Sequence, residues 1–254
     1  KAGEAFLGGL YIDMQAINDV ELGVGGRWRG LTLVPWGLLY RVLGPLSPQD
    51  TEIMQLESLA RFKALQKDFP EPSEAFFSQY PSGTWEFAAM SVYHDAQNQL
   101  GLNFLTYAIE LQKNADLTKL PLLLDRIYIA SKLLFNCHTS VDRYGALSSG
   151  ANDLHKNAAM AWMRLQGLVG VAFQFRESIL KLLESSPELT DNLIDRDIVS
   201  SLVNKQSYVA VLRHAKGVIR GFVSSHRDDR DVQAFEAALR QIEEADTKQG
   251  QGQG

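Results

Sequence analysis

After Ser47, apolar side chains recur every three or four positions, and each such run ends at Pro, Gly, Asn or Ser. That period and punctuation predict helices joined by short turns. The first helix opens at Ser47-Pro48-Gln49-Asp50, which supplies an N-cap hydroxyl, a first-turn Pro and an early acidic residue. It should run to about Asp68 with Ile53, Leu56, Ala60 and Leu65 near one face, and Phe69-Pro70-Glu71-Pro72 stops it because neither Pro can donate an N–H. From Thr84 the positions Trp85, Ala89, Val92, Ala96, Leu100, Phe104, Tyr107 and Leu111 predict one buried stripe. Glu86, Ser91, His94, Asp95 and Gln97 fall opposite, on a solvated face. The same test predicts helices over 120–135, 152 to about 166, 167–184, 197–224 and 229–244.

The first residues are patterned differently. Ala5 to Ile12 and Leu31 to Val42 are apolar and β-compatible, with the Gly-rich turn Gly23-Val24-Gly25-Gly26 between them. Three regions follow: a β-rich segment over 1–46, readable as the end of a truncated α/β unit; a helical array over 47–246; and a tail over 247–254 with nothing apolar to bury, expected to be disordered. Short connectors cannot carry a chain across a domain, so neighbouring helices should be antiparallel. The predicted fold class is mainly α, built of antiparallel helical hairpins as a degenerate tetratricopeptide-like array or a bundle, with a short β-containing N-terminal segment. The matching helix ends Phe62-x2-Leu65-x4-Pro70 and Ile179-x2-Leu182-x4-Pro187 favour the repeat reading.

Composition narrows the function classes. The chain has 254 residues, 25 Lys+Arg against 30 Asp+Glu, a formal charge of -5 and basic residues scattered along its length. No phosphate-backbone footprint forms, so nucleic acid is excluded as a partner. The longest small-residue apolar run, Gly167 to Phe175, is far short of the roughly 18 to 20 residues of a membrane span. The single Cys137 favours a reducing compartment, and no Asn-x-Ser/Thr sequon is present. The chain opens at Lys1 without a signal-peptide pattern, as a processed or excised piece would.

Candidate chemistry is sparse. Gly23-x-Gly25-Gly26 with Arg27 and Arg29 could cradle an anion, but it has no dinucleotide or P-loop signature and reads better as a loop. Cys137-His138 with His155 invites a nucleophile or metal reading, yet the scattered His residues lack ligand spacing, and a buried thiol is expected. His94 and Asp95 diverge by about 100° on a helix and cannot act as one base-orienter pair. His226-Arg227-Asp228 reads as a turn in which Asp228 or Asp229 caps the last helix. The aromatics either glue the β-rich start onto the first helices or line a groove. The candidate binding set is Arg27, Trp28, Trp36, Trp85, Tyr93 and His94, with no catalytic residue, metal ligand or cofactor site predicted.

Trp28 with Pro35-Trp36-Gly37, Trp85-Glu86, Asn103-Phe104 through Ala108 and Glu110, His155-Lys156-Asn157 and Arg164-Leu165-Gln166 together make a pattern. It resembles the lumenal C-terminal region of the multi-pass endoplasmic-reticulum O-mannosyltransferases of the transmembrane protein 260 type and their bacterial relatives. The resemblance spans roughly Trp28 to Gln166. It implies a tetratricopeptide-like region in the endoplasmic reticulum lumen, attached to a membrane-embedded part that moves mannose from a dolichol-linked donor to Ser/Thr of immunoglobulin-like domains. The reacting residues would lie in that membrane part, so this chain would be a non-catalytic binding or scaffold domain with a protein partner and the rest of its parent chain as neighbours. The alternative is a helical interaction subunit of a larger assembly unrelated to glycosylation.

Overall fold

The computed structural model describes residues 10–12, 31–68, 70, 75, 79–81, 83–113, 116–144, 151–186 and 194–251. Strands β1 (Leu10–Ile12), β2 (Thr32–Trp36) and β3 (Leu39–Leu43) form an antiparallel sheet in the order β1-β3-β2. The apolar run predicted over 31–42 is therefore a hairpin. Trp36 pairs with Leu39, which leaves Gly37-Leu38 as a two-residue loop. Gly37 has φ 68° and Leu38 keeps a negative φ, the pattern of a turn whose twist matches its strands and whose first position favours glycine. Pro35 lies on β2, an edge strand, where its missing N–H spoils no more than the pairing with β3 allows.

The rest is helical among the described residues. The helices are α1 (Pro48–Asp68), α2 (Trp85–Lys113), α3 (Leu120–Tyr144), α4 (Ala151–Gln174), α5 (Arg176–Ser185), α6 (Arg196–Leu202), α7 (Lys205–Ser225) and α8 (Val232–Gln251), with a 3-10 turn at Leu117–Lys119. The protein is thus mainly α with a short β segment, as its periodicity predicts. No helix among the described residues is long and apolar enough to cross a membrane.

Packing divides the chain into two compact units, Lys1–Asn103 with Ser140–Ser148, and Phe104–Thr139 with Ser149–Gly254. In the first, the sheet rests on α1 through β2. The start of α1 is capped as predicted: the Asp50 N–H donates to the Ser47 hydroxyl at 3.1 Å, and that hydroxyl donates to the Asp50 carboxylate at 2.6 Å. Its buried face is not the predicted one. Gln55, Ser58, Leu59 and Phe62 point inward, whereas Ile53 and Ala60 are exposed. The polar members are accommodated by hydrogen bonds: Gln55 Nε2 donates to the carbonyl and Oδ1 of Asn103 at 3.2 and 3.0 Å, and the Ser58 hydroxyl donates to the Met54 carbonyl at 2.8 Å.

The second unit follows its apolar stripes more closely. Leu154, Ala158, Ala161, Leu165, Val169 and Ala172 are all buried, so α4 continues through Gly167, where the sequence predicts a new helix. The stripe never breaks at that residue, and the chain kinks only at Phe175, before α5. The predicted helix over 197–224 is in fact α6 and α7. Asp195 caps α6 by accepting the Ile198 N–H at 3.1 Å, and Asn204 caps α7 by accepting the Ser207 N–H at 2.8 Å. α7 packs on α4 and on α8. The expected disorder over 247–254 is corrected for most of that stretch: α8 extends to Gln251, since Lys and Gln are good helix formers and propagation needs no burial.

Candidate binding cleft

In the second unit, α3, α4, α6 and the first turns of α7 surround a cleft of about 250 Å³. Four helices supply its chemistry: Tyr128 and Lys132 from α3, Trp162 from α4, Ser201 from α6, and Ser207 and His214 from α7. The break at Val203-Asn204 is what places Ser201 and Ser207 on one rim, because each lies at a helix end created by the Asn204 cap.

Three rings form one side of the cleft and its support. Trp162 and His214 lie 4.2 Å apart between centroids, and Phe135 meets them edge-on at 6.2 and 4.4 Å. Trp162 is 3% exposed, and its indole Nε1 and the Nε2 of His214 have no hydrogen-bond partner among the described residues. The Lys132 ammonium sits 5.6 Å from the Tyr128 ring and 5.9 Å from the Trp162 ring, within cation–π range of both. Burial lowers the pKa of His214, and the charge of Lys132 lowers it further, so this imidazole is neutral near pH 7. Burial raises the pKa of Tyr128, helped by the negative charge of Asp195.

Among the described residues of the unit, α3 carries the most deeply buried charges. Asp125 is 1% and Arg126 0% exposed; they pair with each other, and Asp125 also accepts the Asp195 N–H at 3.1 Å. That bond ties α3 to the start of α6. Loss of solvent raises the Asp125 pKa, against the opposing pull of Arg126 and the Asp195 N–H. The Arg126 guanidinium also lies 5.9 Å from the Phe104 ring.

A second cluster joins residues that the sequence leaves scattered. His138 and His155 stack at 4.0 Å, His226 meets His155 edge-on at 5.4 Å, and Phe222 stacks on His226 at 4.7 Å. Stacked imidazoles direct their ring nitrogens sideways in parallel planes instead of toward one point, and among the described residues no group of three His, Cys, Asp or Glu could hold a metal. Cys137 beside them is buried, as expected. Next to this cluster Lys156 of α4 donates to both oxygens of Asp229, at 2.9 and 3.0 Å, and pairs with Asp231 at 2.7 Å. Asp229 also accepts the Asp231 N–H, so it orders the turn rather than capping the helix directly, and α8 begins three residues later.

The residues nominated from sequence sit in the first unit or outside the described residues. Arg27 and Trp28, with the Gly-rich turn, belong to the latter. Trp36 is flanked by the guanidinium groups of Arg41 and Arg61 at 5.1 and 5.2 Å, which links β3 and α1 through one indole. Trp85, predicted to begin a buried stripe, is 76% exposed because it occupies the first turn of α2, ahead of the buried part of the helix. His94, predicted to be solvated, is fully buried; its neighbour Tyr93 packs on Phe62 at 5.5 Å and on the His94 ring at 5.9 Å. Among the described residues of the set, Tyr93 and His94 are in ring contact. Lys132, Trp162 and His214 escape the sequence reading, since each occupies an ordinary helical position and their proximity arises from three helices.

No family model, curated protein or solved structure matches the chain.

Proposed function

We propose that this chain is a helical binding domain that positions a protein partner, and that its parent is a membrane-bound protein O-mannosyltransferase of the kind its short motifs resemble. The observation that carries the binding reading is the open cleft walled by α3, α4, α6 and α7, which offers rings, hydroxyls and one ammonium on rigid elements. Stacked helices leave such concave faces available for docking. The glycosyltransferase part rests on the motifs between Trp28 and Gln166 alone, and it makes the partner an immunoglobulin-like acceptor domain.

The test is direct binding of the chain to folded immunoglobulin-like acceptor domains, measured by biolayer interferometry. The reading expects a dissociation constant in the micromolar range, on the scale of transient protein contacts. Flat responses up to several hundred micromolar for every acceptor domain would remove the glycosyltransferase assignment. Retention of an unrelated partner at the same cleft would favour the interaction-subunit reading.

A further inference from the structure

We propose that the cleft of the second unit is a carboxylate pocket that receives an acidic side chain of a partner polypeptide. The inference rests on the binding-domain reading and is independent of the glycosyltransferase one.

Size restricts the occupant first. About 250 Å³ lies just below the range of cofactor and drug-sized sites, and it suits one side chain with its flanking backbone. Charge restricts it next. The Lys132 ammonium lies at the faces of both Tyr128 and Trp162, so the ring surfaces that would otherwise attract a cation are already taken, and a second cation would meet repulsion. Among the described residues no carboxylate reaches salt-bridge distance of Lys132. An incoming carboxylate would supply that partner in a setting where one flank is apolar, so the pair is less screened than on open surface.

The remaining groups agree with an anion. Ser207 places a hydroxyl on the rim in the first turn of α7, where the positive end of the helix dipole favours negative charge, whereas the Ser201 hydroxyl donates to the Ile198 carbonyl at 2.8 Å and only lines the wall. His214 is held neutral, which leaves Lys132 as the charge that recognises the ligand. Asp195 faces Tyr128 from the start of α6, so the carboxylate is directed toward the Lys132 side of the cleft. The stem of a Glu or Asp would then lie against Trp162 and His214.

The measurement uses the full chain labelled with 15N and follows the indole N–H signals of its four tryptophans. N-acetyl-glutamate amide is titrated first, then N-acetyl-glutamine amide, which has the same shape without the charge, and then inorganic phosphate. The Glu compound should shift the Trp162 signal with a dissociation constant on the order of millimolar, as expected for one charged contact, while Trp36 and Trp85 stay still. The Gln compound should bind at least fivefold more weakly. Lys132→Met, at an exposed helical position, should weaken the Glu compound by a similar factor with an otherwise unchanged spectrum. Equal shifts from the Glu and Gln compounds, shifts from phosphate alone, or an unaltered affinity in Lys132→Met would each overturn the pocket. Because these probes contain no acceptor domain, the pocket can fail while acceptor binding holds, and the reverse.

Discussion

The two units of this protein solve the same problem with different material. The second buries regular apolar stripes, such as Leu154 through Ala172 on α4 and Val211 through Phe222 on α7, and among its described residues the buried charges are the adjacent pair Asp125 and Arg126. The first buries Gln55, Ser58, His94 and Gln97 beside its apolar residues and leaves Ile53 and Trp85 in solvent. Neutral hydrogen-bonding groups can be buried at modest cost when partnered, while a buried charge that loses its partner is costly. Periodicity therefore describes the interior of the second unit well and that of the first unit poorly, and single substitutions should separate the two.

Arg126→Met carries the largest expected effect. It leaves the buried Asp125 with the Asp195 N–H as its remaining listener, and breaking a buried pair from one side costs about 3–5 kcal/mol. Chemical denaturation would show a large fall in midpoint, and a loss under about 1 kcal/mol would abolish the contrast between the units. Gln55→Ala should cost less, about 1–3 kcal/mol, because it strands a backbone carbonyl and a neutral amide instead of a charge. The same denaturation series measures it, and a cost equal to that of Arg126→Met would mean that the first unit depends on its polar interior as heavily as the second. Trp85→Ala should change stability by no more than about 0.5 kcal/mol despite the size of the ring, since three quarters of it already faces water. A larger change in melting temperature would restore Trp85 to the buried stripe that its spacing suggests.

These contrasts also explain which parts of the structure could be read from residues alone. Ser47-Pro48-Asp50 announces the start of α1 because a cap is local chemistry, whereas the turn at Gly37 is hidden inside one apolar run and shows only once the strands on either side of it pair. Asn204 carries the same kind of signal for the start of α7, but the apolar residues on both sides conceal it within one longer period. The inward face of α1 is set by a partner 48 positions away, Asn103, which no helical period encodes. The cleft is harder still. Lys132 reads as a solvated lysine and Trp162 as a core aromatic, and only the packing of α3 on α4 and α7 turns them into neighbours.

The clasp of Lys156 has a consequence for how the end of the chain is attacked. One ammonium on α4 holds two carboxylates, Asp229 and Asp231, of the turn that leads into α8, and its donated hydrogen bonds lower the pKa values of both. A depressed carboxyl stabilises the fold above its unfolded pKa and loses that contribution as pH falls through the folded value, so acidification unfastens this turn. Arg227 and the 89% exposed Arg230 lie inside it. Limited tryptic digestion of Lys156→Met should accordingly nick the chain at these arginines first, freeing the last helix while α4 and α7 remain whole.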